Sequence, residues 1–201
     1  HQLLEPPRRV TGSTRFLFAM LRGLLDNSND LYILATAWAR EDLPEALQNS
    51  RLIVETHKFF QSNTINIFHQ RRLMPSLMQR YHAAIEFNSN PVGGFGVPWP
   101  RVMTIHDLYL DLLPEEYSRK TVFVGKSLMR LSTYDAAGIM VPSQSTRSDV
   151  IRFYPHLKDR TFVVHEAPAQ MSSNGNEASP FSGRYGLIVG NLSPNKNIAS
   201  L

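Results

Sequence analysis

Two short stretches hold side chains whose type and place suit chemistry. His106 and Asp107 follow directly on the strand-like run RVMTI (101–105), and GNLSPNKN (190–197) follows on YGLIVG (185–190). In open parallel α/β sheets, ligands bind in the crevice beyond the carboxyl ends of the strands. A histidine there can donate to a developing charge, hold a hydroxyl or move a proton near neutral pH. Asp107 can orient it or start the next loop. Spacing alone serves equally well a histidine that ends a strand and bonds to backbone. In the second stretch Lys196 and free amides at a helix start suit a diphosphate, because charge and helix dipole both favour an anion. A Ser-Pro turn with a solvated lysine fits the same residues.

Weaker candidates follow. Gly12, with Arg8, Arg9 and Arg15 nearby, can meet phosphate at a helix start, but N-cap chemistry explains residues 12–14 as well. Gly93-Gly94-Phe95-Gly96 lacks the GxGxxG pattern and reads as a flexible loop. Arg71, Arg72 and Arg80 suit a solvated helix face better than a membrane surface. His106, Asp107 and Asp111 do not obviously converge on a metal, and no HExxH, Asp-x-Asp or GxSxG pattern occurs.

The elements that must position these residues are legible as alternating periods. Apolar residues at 16, 17, 20, 21, 24 and 25 predict a helix, and LYILAT (31–36) and RLIVE (51–55) predict strands. A short helix over 41–48 is expected between them. Residues 65–81 read helical, with Pro75 expected to kink or restart the helix. Strands are expected at 83–87, 101–105, 138–141 and 161–164, and helices at 121–133 and 145–153. Strand and helix in alternation imply crossovers, hence a mostly parallel sheet with helices on both faces, a Rossmann-like α/β domain. Residues 168–183 have linker composition. The expected organisation is a domain over 1–167, that linker, and the opening of a second domain over 184–201. The chain starts at His1 and stops five residues past Lys196, so it reads as a piece of a larger protein.

Composition narrows the function classes. The 201 residues are 42% hydrophobic and 19% charged, enough for a core and against disorder. No apolar run approaches the ~18 residues of a membrane span. With no cysteine, disulfide scaffolds and thiolate chemistry drop out, and a reducing compartment is favoured. The net charge of +4 is diffuse and carries no aromatic-basic stripe, which leaves nucleic-acid binding a weak reading.

In order, four segments resemble glycosyltransferase family 4, the GT-B group that includes mannosyl- and glucosyltransferases. They are PRVMTIHDLYLDLLPEEYSR (100–119), YDAAGIMVPSQSTRSDVIRFYP (134–155), RYGLIVGNLSPNKN (184–197) and RRLMPSLMQRYHAAIEF (71–87). The resemblance implies two Rossmann-like domains facing across a cleft, with 1–167 the acceptor-side domain lacking its first strand. It places His106 near the transferred sugar and Lys196 at the donor diphosphate. Asn191 stands where many members carry a second basic residue, and Gly12 in the loop after the family's first strand. The implied reaction is retaining, metal-independent transfer from a nucleoside diphosphate sugar such as GDP-mannose or UDP-glucose. The implied acceptor is a glycan or a lipid-linked one, as in polysaccharide biosynthesis, with no other cofactor. The corresponding location is the cytoplasm, with room for peripheral contact at the inner face of a membrane. The family's paired glutamates would lie beyond Leu201. The alternative is therefore a catalytically inactive fragment or degenerate homologue acting at most as a binding module, and this chain alone is expected to be inactive.

Overall fold

Leucines at 17, 21 and 25, four residues apart, make the buried stripe of α1 (Gly12–Asn27) in the computed structural model of the chain. The structure describes residues 12–36, 39–57, 63–166 and 184–185. The chain divides into two compact units, His1–Ala167 and Pro168–Leu201. In the second unit only Arg184 and Tyr185 are described, both exposed. The expected linker, the YGLIVG strand, Asn191 and Lys196 lie outside the described residues.

Strand β1 (Tyr32–Thr36) pairs in parallel with β2 (Leu52–Thr56), from Tyr32 opposite Leu52 to Thr36 opposite Thr56. The helix expected over 41–48 is instead two 3₁₀ turns, Arg40–Asp42 and Glu45–Leu47. Pro44 stands between them: it has no N–H to continue the first turn and starts the second. Leu43 and Leu47 from this connection fill the core beneath α1 with Leu34 and Leu52.

The long helix α2 (Asn63–Arg80) runs on through Pro75 without restarting. Ile67, Leu77 and Met78 on this helix are buried, while Phe68 is exposed. Its end is tied to the end of β2, where Glu55 accepts hydrogen bonds from the Tyr81 hydroxyl and from Arg80. The Tyr81 bond is the main reason that the Glu55 carboxyl lies below its usual range. The chain then turns through His82, at a left-handed φ of 50°. Strand β3 begins only at Glu86 and ends at Asn88.

The second sheet follows, with β3 beside β4 (Arg101–Thr104), then β5 (Gly138–Val141) and β6 (Thr161–Val163), all parallel. A short α3 (Tyr109–Leu112) and a longer α4 (Arg119–Thr133) link β4 to β5, and α5 (Gln144–Phe153) links β5 to β6. Serine caps start the two longer helices: Ser118 Oγ accepts from the Thr121 amide and Ser143 Oγ from the Thr146 amide, each at 3.1 Å. Met103, Ile105, Ile139, Val141, Val150 and Leu157 are the centre of the core here.

The chain is thus α/β with parallel strands, compatible with a Rossmann-like arrangement, but its strands form two sheets, not one. Among the described residues β1 pairs only with β2, and β3 only with β4. Between their free edges lies a cleft of about 500 Å³. Consecutive residues of both strands (32–35 and 86–88) line it, so the strands present edges to it and not faces. Leu17 and Leu21 of α1 and Leu73 and Leu77 of α2 add its apolar walls.

The Gly- and Pro-rich stretch before β4 looked flexible in sequence but is held by a buried arginine. Arg101, fully buried, donates to the Gly94 carbonyl, to the Ser132 carbonyl at 2.6 Å and to Asp135 Oδ1 at 2.5 Å. Asp135 Oδ2 in turn accepts from the Gly96 amide at 2.7 Å, and Ser132 Oγ bridges both backbone groups of Gly93. Gly96 has a φ of +62°, the left-handed region that glycine enters without strain. Among the described residues, no helix is long and apolar enough to cross a membrane.

Candidate active site at the strand ends

β4 is buried up to Ile105, whose amide donates to the Met140 carbonyl at 2.9 Å. The next residue, His106, is therefore the first to leave the sheet at its carboxyl end. Three groups define its ring. Nδ1 lies 3.0 Å from Glu166 Oε1, just beyond the end of β6. The Phe16 ring of α1 stands perpendicular to the imidazole, with centroids 5.1 Å apart. Nε2 is shielded from solvent and has no hydrogen-bond partner among the described residues. Two residues earlier, Thr104 Oγ1 is in the same condition. Each such buried polar atom costs about 1–3 kcal/mol, a cost that a hydrogen-bonding ligand or water would recover.

Asp107 is exposed and does not reach the ring; its Oδ1 faces the Tyr109 amide at 3.4 Å, the first amide of α3. Of the two roles it offered, starting the next segment is the one that its contact serves. Asp111 turns away as well. It accepts from the Tyr154 hydroxyl at 3.0 Å and pairs with Lys126 at 3.0 Å. Burial first, and then the nearby Asp111 charge, raise the Tyr154 hydroxyl well above its usual pKa. Among the described residues, no three histidine or acidic side chains group as a metal-binding set.

Gly12 opens α1, exposed and with open space where a side chain would be. Phe16, one helical turn later, is what α1 brings to His106. Asn191 and Lys196 lie outside the described residues, so the donor-side stretch has no geometry to set beside the histidine.

Glu166 is the residue that the sequence reading passed over. It lies 60 positions from His106 and belongs to no motif. Its signal was available, because it lies two residues past the run TFVV (161–164), close to a strand end as His106 is. A rule that looks past the carboxyl end of every strand finds both. The arrangement holds an imidazole in one orientation at the carboxyl ends of the strands, with one ring nitrogen bonded to a carboxylate and the other not. No protein-family model matches the chain, and no curated protein matches it.

Proposed function

We propose that the chain belongs to a retaining glycosyltransferase, in which it forms the acceptor-side domain and the opening of the donor-side domain. The observation that carries this reading is His106, held by Glu166 and Phe16 at the carboxyl end of a parallel strand, with Nε2 uncommitted. It lies within the segment (100–119) whose residues resemble the family. In this reading His106 holds and orients a sugar hydroxyl of a nucleoside diphosphate sugar. The departing diphosphate gathers negative charge in an oxocarbenium-like transition state. Lys196 and the helix start at Asn197 would stabilise that charge selectively, assisted by backbone amides near Asn191. Gly12 would leave the chain free to approach donor or acceptor at the start of α1. The mild positive balance suits an anionic donor without calling for nucleic acid.

The test is calorimetric titration of the whole transferase with UDP and GDP, alongside a random-sequence DNA duplex. Saturable binding of one nucleotide, weakened by Lys196→Ala, is expected. Binding of neither nucleotide, or salt-sensitive binding of the duplex alone, would overturn the reading.

A further inference from the structure

We propose that Glu166 is a positioning residue that fixes the tautomer of His106, with the proton on Nδ1 and Nε2 left as a bare acceptor. Two independent features lead there. The carboxylate 3.0 Å from Nδ1 accepts and cannot donate when ionised, so a proton on Nδ1 makes a charge-assisted hydrogen bond and its absence sets a lone pair against an anion. At the other nitrogen, solvent is excluded and no described group accepts a bond. A buried orphan N–H is the rarer and less tolerated case than an under-used acceptor. Both ends of the ring therefore select the same tautomer. Phe16 limits how far the ring can swing from that position.

The consequence is chemical. A bare Nε2 recognises a hydrogen-bond donor, so the group that meets His106 is not a carbonyl or an ionised phosphate oxygen, and in a sugar it is a hydroxyl. An analogue that lacks that hydroxyl leaves the acceptor unpaired and is rejected. The proposal rests on the transferase reading for its purpose, while its geometry stands without it. Glu166 is itself largely exposed, its side chain retaining 45% of its accessibility, so replacing it should leave the fold intact.

The tautomer can be read directly by nitrogen NMR of the histidine-labelled chain, with the His106 signal identified by its loss in His106→Asn. Spectra are taken about two pH units above the ordinary histidine pKa of about 6.5, so that the neutral ring is observed. The native chain is expected to show a protonated Nδ1 and a bare Nε2. Glu166→Gln keeps an acceptor and should keep that pattern. Glu166→Ala should admit the other tautomer, and Glu166→Lys, whose ammonium donates to Nδ1, should invert it. A protonated Nε2 in the native chain, or the same spectrum for Glu166→Ala and Glu166→Lys, would overturn the proposal. In the whole transferase, Glu166→Ala should lower kcat at least about tenfold with donor KM little changed, the scale at which orienting partners of histidine act. Glu166→Gln should restore most of it. A tautomer that responds in a protein without sugar transfer would sink the transferase reading and leave the positioning role. Transfer with an unresponsive tautomer would do the reverse.

Discussion

The two halves of the sheet structure handle their interiors in opposite ways. Around β4, a charged side chain is carried fully inside, and most of what surrounds it is answered: Arg101 meets two carbonyls and a carboxylate, and Asp135 passes the connection on to the Gly96 amide. Between β1 and β3 the surface is mostly apolar, with Gln70, Glu86 and Asn88 among its few polar members. There leucines and methionines of α1 and α2 face one another across a cleft of about 500 Å³, bordered by strands that among the described residues pair on one side alone. Stability in the first region depends on geometry, since a buried pair offsets its desolvation only when its bonds are complete. Stability in the second depends on area, with walls that do not meet. The candidate site lies at the strand ends of the first region, where neighbouring ladders fix the backbone.

The largest effect should come from breaking the polar interior. Arg101→Met leaves the buried Gly94 and Ser132 carbonyls without their donor and should cost about 3 kcal/mol in urea unfolding, the scale of two buried acceptors left unsatisfied. A loss below about 1 kcal/mol would mean that the Gly93–Gly96 stretch is held by something else.

Next in size is a matched pair of methionine truncations. Met103 is fully buried in the four-stranded core, whereas Met78 borders the cleft. Methionine-to-alanine changes in cores cost about 2–5 kcal/mol, more where the surroundings cannot collapse. Met103→Ala should cost about 3 kcal/mol, no more than Arg101→Met, and Met78→Ala about 1 kcal/mol less. Equal costs would erase the contrast between the regions.

A smaller, pH-dependent effect is expected at Glu86, which belongs to both regions: its side chain accepts from Trp99 Nε1 at 2.7 Å and it also borders the cleft. Burial, offset in part by the Trp99 bond and Arg101, raises its carboxyl above the usual 4.5. An acid whose folded pKa is raised contributes stability that is full below its unfolded pKa and is lost as pH rises through the folded value. Glu86→Gln, which keeps an acceptor for Trp99, should therefore be more stable than the native chain at neutral pH and lose that advantage below 4.5. An advantage independent of pH would show that the charge of Glu86 is not the cause.

Much of this contrast was legible in the sequence where local signals agree. The helices expected at 121–133 and 145–153 are α4 and α5, begun two residues and one residue earlier behind the caps Ser118 and Ser143, and the buried runs at 101–104 and 138–141 lie within one residue of where their patterns place them. The readings that moved are those where tertiary packing or one missing N–H decides. Pro44 divides an expected helix into two 3₁₀ turns, yet Pro75 does not interrupt α2. The strand expected from 83 starts at Glu86, after the left-handed turn at His82 and with Ile85 exposed. No period in the sequence reports that β1 and β3 do not pair, because pairing depends on neighbours in space. His106 was legible because a strand end is a local feature. Glu166 became its partner only through the order of β4, β5 and β6.

In the proposed transferase, His106 serves sugar transfer at these strand ends. The most direct test of that role is the rate of transfer from UDP-glucose or GDP-mannose by the whole enzyme and by its His106→Ala variant, with matched unfolding curves as a control. The variant should lose at least about a hundredfold in kcat, the range for a positioned group acting in the transition state, with donor KM little changed. Equal kcat in both proteins, or no transfer from any nucleotide sugar by the native one, would contradict it.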